Sequence, residues 1–278
     1  MRNTARVLPF VVLLLSAPAF AADVSVLHKG IVPIIGSTGR LIDPQPAFQT
    51  SITLYGKQGL RGRLVFHPAG QVANDDTDPS VRYLCASRNC FHSDVPISSL
   101  GITGSAIGSL DIIPDADSDQ TIPMAFTRIY YSQGSIPQSL VPFGTDVPRV
   151  ISDDFATEQQ SGDASHRFIY VQGMGSAFRI TLGMRTLTDI TYSVSVVNAS
   201  GVKEPIVANA SLPANFTYYD SLQHILGSRV LANGEDVRVD IQSGSAIGFY
   251  SYTSNASNAP TFRLSEPLND PVAFGGAQ

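Results

Sequence analysis

The chain has 278 residues, with 18 Lys or Arg against 23 Asp or Glu, a formal net charge of −5, 15% charged residues and no tryptophan. Mild acidity without any concentration of Lys or Arg excludes nucleic acid as the expected partner, because proteins that bind it carry clustered basic charge. The length suffices for two domains with separate cores, and no stretch after the first twenty residues is apolar enough for a membrane-spanning helix.

The opening MRNTARVLPFVVLLLSAPAFAAD has basic Arg2 and Arg6, an apolar run Val7–Leu15 and an Ala19-Phe20-Ala21 cleavage pattern. This reads as a secretory signal peptide cleaved near Ala21, leaving a soluble chain in the periplasm, on the cell surface or in the medium. Ile31–Ile35 is a first strand. Phe48–Pro68, FQTSITLYGKQGLRGRLVFHP, then alternates apolar and polar positions on both sides of a Gly-containing break. Period-two alternation predicts strands with one face in a core and one in water, here joined as a hairpin. A turn-rich loop with Asn74, Asp75, Asp76 and Asp78 follows. Next come a strand Val81–Cys85 and a return strand through Phe91. In an exported protein the close pair Cys85 and Cys90 predicts a disulfide, placed as a staple across a hairpin turn. Asp94-Val95-Pro96 opens one helical turn ending at Gly101. SLDII and Ala125–Ser132 supply the last strands of this unit, separated by Asp115-Ala116-Asp117-Ser118-Asp119.

The same order returns later in the chain. Phe168–Val171 answers the first strand, and Phe178–Asn198, FRITLGMRTLTDITYSVSVVN, answers the hairpin. A helix with Asp220 as its N-cap and Gly227 beyond its end answers the single turn. RVDIQ and Ala246–Thr253 answer SLDII and Ala125–Ser132. The fold class expected is therefore all-β: two tandem immunoglobulin-like antiparallel β-sandwich domains related by internal duplication, each with about seven short strands. Their expected limits are 22–134 and 166–278, joined by a linker over 135–165 and ending in a frayed tail. VPIIGSTG, FQTSITLYG, GRLVFHPAG, LGITG and GSLDIIP, with FRITLGMRTL and SVVNASG in the second copy, resemble secreted bacterial proteins that carry immunoglobulin-like β-sandwich units, often in tandem. The resemblance covers nearly the whole mature chain, implies fold and export, and brings no catalytic residues with it.

Candidate chemistry is sparse. Asp115, Asp117 and Asp119 place carboxylates at alternate positions, as a calcium loop does. Gln120 and Phe126 nevertheless stand where an EF-hand needs Gly and Glu, and a solvated loop is the alternative. Calcium is the one cofactor the pattern allows, there or at the Asp75–Asp78 loop. His28, His67, His92, His166 and His224 form no metal-binding spacing, and His67 has the outward parity of a surface residue. No G-x-S-x-G is present, and the acids lie in loops rather than as a buried facing pair. Tyr130, Tyr131, Tyr250 and Tyr252 lie on the last strands, where an exposed ring stacks on a sugar or anchors a protein, or else fills the core. The expectation is a non-enzymatic interaction, adhesion or structural module of the bacterial envelope with a protein or glycan partner. The alternatives are a carbohydrate-binding protein using these tyrosines and the acidic loops, and a periplasmic pilus-type chaperone or subunit.

Overall fold

The computed structural model describes residues 28–38, 47–94, 96–132, 144–152 and 168–264. The expected signal peptide, most of the expected linker and the C-terminal tail lie outside these residues. The described residues are mostly antiparallel strands, in four sheets.

The first nine strands are β1 (Gly30–Ser37), β2 (Ala47–Tyr55), β3 (Arg61–Pro68), β4 (Ser80–Leu84), β5 (Asn89–Ser93), β6 (Ala106–Pro114), β7 (Met124–Ser132), β8 (Gly144–Val147) and β9 (Val150–Ile151). They form one sheet in the order β4-β3-β6-β1-β9 and a second in the order β5-β2-β7-β8. Val32, Ile35, Leu64, Phe66, Leu110 and Ile112 from the first sheet meet Ile52 and Leu54 from the second in one buried cluster. That is a sandwich, made because each strand turns its alternate apolar positions to the same interior. A single turn of helix, α1 (Pro96–Ser99), closes one end with Ile97 buried.

The second group is β10 (Phe168–Val171), β11 (Phe178–Thr186), β12 (Ile190–Val197), β13 (Lys203–Leu212), β14 (Thr217–Ser221), β15 (Asp236–Ser243), β16 (Ala246–Ser254) and β17 (Pro260–Leu264), with helix α2 (Leu222–Leu226). Its sheets run β10-β15-β12-β13 and β14-β11-β16-β17 around a cluster containing Ile169, Leu182, Met184, Val194, Val196, Val237 and Val239. Element for element, the order β4-β3-β6-β1 recurs as β13-β12-β15-β10, and β5-β2-β7-β8 recurs as β14-β11-β16-β17.

Three expectations change. The repeated segment is not a hairpin: β2 and β3 lie in facing sheets and do not pair, and the same holds for β11 and β12. Alternation identifies an inward face but not which sheet carries it, so an arch across the sandwich and a hairpin share one pattern. The turn at Gly56–Leu60, with Gly59 at φ 91°, carries the chain across. Cys85 and Cys90 are joined by a disulfide, but β4 and β5 also belong to opposite sheets, so the bond staples a crossing between layers rather than a hairpin turn. In α2 the cap is Ser221, whose side chain accepts from the His224 backbone N–H; Asp220 instead accepts from the Ser221 N–H and the His224 ring.

The strand order also refines the immunoglobulin expectation. Pairings β2–β5 and β3–β6 match the second-with-fifth and third-with-sixth pairings of that fold. The outer strands are exchanged, however. β1 pairs with β6, where the seventh strand of an immunoglobulin domain would lie, and β7 pairs with β2, in the place of the first. Residues 144–152, assigned by sequence to the linker, add β8 to one sheet and β9 to the other.

Candidate functional site

The two sandwiches share a buried boundary that uses the outward face of the β4-β3-β6-β1-β9 sheet. Outward parity on β3, β6 and β1 belongs to His67, Ser109, Asp111 and Ile31, and all four are buried. Ile31 packs against Leu187 and Ile247 of the second sandwich. Ser109 Oγ lies 2.9 Å from Thr217 Oγ1. The Gly70 N–H donates to the Thr217 carbonyl at 2.8 Å, and the Ala73 N–H to the Asn215 carbonyl at 2.6 Å. On the other side Phe249 and Phe262, stacked at 5.5 Å, pack into the first sandwich's core cluster. There the Phe262 N–H donates to Thr145 Oγ1 at 3.0 Å. Gly183 is needed beneath that pair, because a Cβ there would lie 2.1 Å from the Phe249 ring.

At the centre of the boundary is a cluster of six charged groups. Asp111 on β6 is fully buried, and its Oδ2 lies 2.5 Å from Lys29 Nζ, 3.1 Å from Arg185 Nη2 of β11 and 3.1 Å from His67 Nε2. Lys29 Nζ also lies 3.2 Å from Asp75 Oδ2. His67 Nε2 is 3.2 Å from Asp75 Oδ1, and its Nδ1 is 2.6 Å from Asp78 Oδ2. Nε2 sits between two carboxylates without an aligned hydrogen bond to either, so that side of the ring is held by charge, and Asp111 Oδ1 has no hydrogen-bond partner. The cluster is anchored locally. The Lys29 N–H donates to Ser152 Oγ and its carbonyl accepts from the Ser152 N–H, Asp78 accepts from the Asn74 N–H, and Arg185 Nη1 donates to the Thr186 carbonyl. Gly108 lets β6 approach β3 closely at this level, since a Cβ there would lie 2.1 Å from the His67 carbonyl oxygen.

Electrostatics follow from the contacts. Burial alone would lower the His67 pKa, but Asp111, Asp75 and Asp78 outweigh it and raise it to about 9. Burial would raise Asp111, and Arg185, Lys29 and His67 together hold it far below the usual carboxylate range. Asp75 is likewise held down, by His67 and Lys29 against the effect of burial. Ligand atoms of His67, Asp75 and Asp111 lie within 4.8 Å of one another, the only such grouping among the described residues. The cation they would hold is already present as the Lys29 ammonium, with Arg185 beside it. The side chains of His67, Asp111 and Arg185 are 0% exposed and that of Lys29 6%, so the cluster meets solvent only at its loop side, through Asp75 and Asp78. It can fix two bodies against each other.

The sequence-predicted residues fall elsewhere. Asp115, Asp117 and Asp119 do not form a cage of free oxygens. Asp115 pairs with Arg82 and Arg61, Asp117 with Arg61 at 2.8 Å and Asp119 with Lys57 at 3.7 Å. Asp119 also accepts from the Thr121 hydroxyl and N–H. A calcium ion there would have to displace two arginines. Tyr130 is not an exposed ring: it is 4% exposed, with its hydroxyl donating to Gln49 Oε1 and the Asp94 carbonyl. Tyr131 is half-buried against Phe48 at 5.1 Å. Tyr250 and Tyr252 pack on the second core, and the Tyr252 hydroxyl donates to the Gln172 carbonyl. His67, expected at the surface, is at the centre of the cluster, and a buried acid, Asp111, stands in a strand where none was expected. The signal for both was parity: His67, Ser109 and Asp111 are polar residues at outward positions of strands whose neighbours are all apolar.

The exposed aromatic surface is a different one. Tyr55 (43% exposed), Met124 (60%) and Phe126 (57%) share the outward face of the β2–β7 pair, with Tyr55 opposite Met124 and Thr53 opposite Phe126. The Tyr55 and Phe126 rings meet edge to face at 5.6 Å. Beside them is an open cleft of about 750 Å³ lined by Tyr55, Lys57, Leu60, Arg88, Ile122 and Met124, next to the disulfide loop. A smaller cavity of about 170 Å³ on the second sandwich is lined by Tyr192, Tyr218, Asp220 and His224, where Asp220 holds His224 Nδ1 at 2.6 Å. No described helix is long and apolar enough to cross a membrane.

No family model, curated protein or solved structure matches the chain.

Proposed function

We propose that the chain is an exported, non-enzymatic interaction module of the bacterial envelope, built from two immunoglobulin-related sandwiches that arose by duplication. It meets its partner through the Tyr55–Met124–Phe126 face of the first sandwich. The observation that carries this reading is the contrast between the two candidate places. The largest group of charged side chains lies between the sandwiches, mostly buried and neutralising one another, while large apolar side chains stand exposed together on one sheet face beside a cleft. Exposed aromatic and Met side chains rimmed by Lys57 and Arg88 have the composition of a contact surface, with a few anchors inside a polar rim. The recurrence of strand order across both sandwiches supports duplication. The Cys85–Cys90 disulfide fits an oxidising compartment, and the basic, apolar and Ala-x-Ala segments of the first 21 residues support export.

The test is binding of the mature chain to washed bacterial envelopes and to an array of envelope glycans, against the double variant Tyr55→Ser, Phe126→Ser. Truncating anchors of this type costs about 2 kcal/mol or more of binding. The variant should therefore lose tenfold or more in affinity while keeping its melting temperature. Equal binding by both proteins would place the contact surface elsewhere.

A further inference from the structure

The loop between β3 and β4 does two things at once. Its Asp75 and Asp78 close over His67, and its Gly70 and Ala73 make the backbone hydrogen bonds that reach Thr217 and Asn215 of the second sandwich. We propose that His67 and the five charges around it form a lock between the sandwiches that holds in acid and neutral solution and opens in alkali.

The argument begins with donors and acceptors. Both ring nitrogens of His67 face only carboxylate oxygens: Nδ1 faces Asp78, and Nε2 faces Asp75 and Asp111. A neutral imidazole has one N–H and one lone pair, so here a lone pair of a fully buried ring would point at a carboxylate. The imidazolium fits: its Nδ1–H donates to Asp78, and its charge lies beside Asp75 and Asp111 at Nε2. Counting it as charged, the cluster holds three cations (Lys29, His67, Arg185) and three anions (Asp75, Asp78, Asp111), and an uncompensated buried charge is what such a site cannot tolerate. Loss of the His67 proton leaves one net negative charge buried and an acceptor facing an acceptor. The loop that must relax to relieve this is the one bonded to the second sandwich.

Every element packed against the ring contributes to the pH window. Asp75 and Asp78 come from the loop, Asp111 from β6 and Lys29 from the segment before β1, with Arg185 of β11 reaching the ring through Asp111. His67 is raised above its unfolded value, so its contribution is complete below about pH 6.5 and is lost as pH rises through about 9. Asp75 and Asp111 are depressed, so their contributions persist above the ordinary carboxylate value and fail only in stronger acid. The lock is thus acid-tolerant.

The test uses the whole mature chain. The ring nitrogens of His67, read by nitrogen-15 NMR at about pH 8, should both carry protons while a surface histidine is neutral. Protection of the Gly70 and Ala73 amides against hydrogen exchange, corrected for the intrinsic rate, should fall about tenfold per pH unit between about 6.5 and 9. In His67→Gln the same amides should be weakly protected at all pH values with no slope. A neutral His67 ring at about pH 8, or protection at Gly70 and Ala73 that is flat across the window in the unaltered chain, overturns the proposal. Both measurements are made on the native protein, so they stand even where the variant fails to fold.

Discussion

Asp111 is the residue on which most of the boundary depends. A carboxylate with no solvent exposure is tolerated only with its counter-charges in place, and here one oxygen serves Lys29, Arg185 and His67. Removing either side of such a buried pair leaves the other uncompensated, at a cost of about 3–5 kcal/mol. Asp111→Ala and Arg185→Met should each destabilise the protein by that amount in urea unfolding. The double variant should lose much less than the sum, because it removes both charges together. Losses under about 1 kcal/mol would mean that the pair is solvated and the cluster peripheral. At this scale the sequence was legible on the core side only. Ile52, Leu54, Leu64, Phe66, Leu110 and Ile112 follow from alternation and are buried as expected. His67 was assigned to water by the same alternation, and Asp111 was passed over because the acids were read as lying in loops. Period two separates the two faces of a strand but cannot tell water from a second protein layer, so polar residues on a twice-covered sheet read as surface.

Among the elements, the crossings between layers decide the topology. β2 to β3 and β4 to β5 each carry the chain from one sheet to the other, and in the second sandwich β11 to β12 and β13 to β14 do the same. The first sandwich secures one crossing with the Cys85–Cys90 disulfide. In the second, residues Pro213–Phe216 make the crossing without cysteine, with Asn215 at φ 55°. The disulfide closes a loop with a sequence separation of 5, so chain entropy assigns it only about 2 kcal/mol. Cys85→Ser with Cys90→Ser should lower unfolding free energy by about that much and leave far-ultraviolet circular dichroism unchanged. Loss of the fold would show that the staple holds the layers themselves together. The strands from β1 to β7 and their counterparts β10, β11, β12, β15 and β16, the disulfide pairing and both helical turns were readable from pattern and turn residues, whereas β8, β9, β13 and β17 were not. Hairpin against arch was not, because both satisfy the same alternation and differ only in where the chain goes after a turn of about five residues. The longest edge strand, β13, contains Pro205 and the left-handed Asn209 at φ 52°, interruptions that blunt an edge against strand addition.

Across the whole molecule, the sandwiches are joined by three kinds of contact that fail under different conditions. Apolar packing of Ile31 with Leu187 and Ile247, and of Phe249 and Phe262 with the first core, is indifferent to pH. Backbone bonds from Gly70 and Ala73 tie a loop of one sandwich to a crossing of the other. The charge cluster between them adds direction, since Arg185 meets Asp111 in one relative placement only. The repeated strand order would suit two beads on a string, yet a boundary with buried charges and shared core residues makes them one cooperative body. The most direct measurement of this is differential scanning calorimetry of the mature chain near neutral pH. The account predicts a single transition whose calorimetric and van't Hoff enthalpies agree. Two resolved transitions, each with the enthalpy of one sandwich, would contradict it.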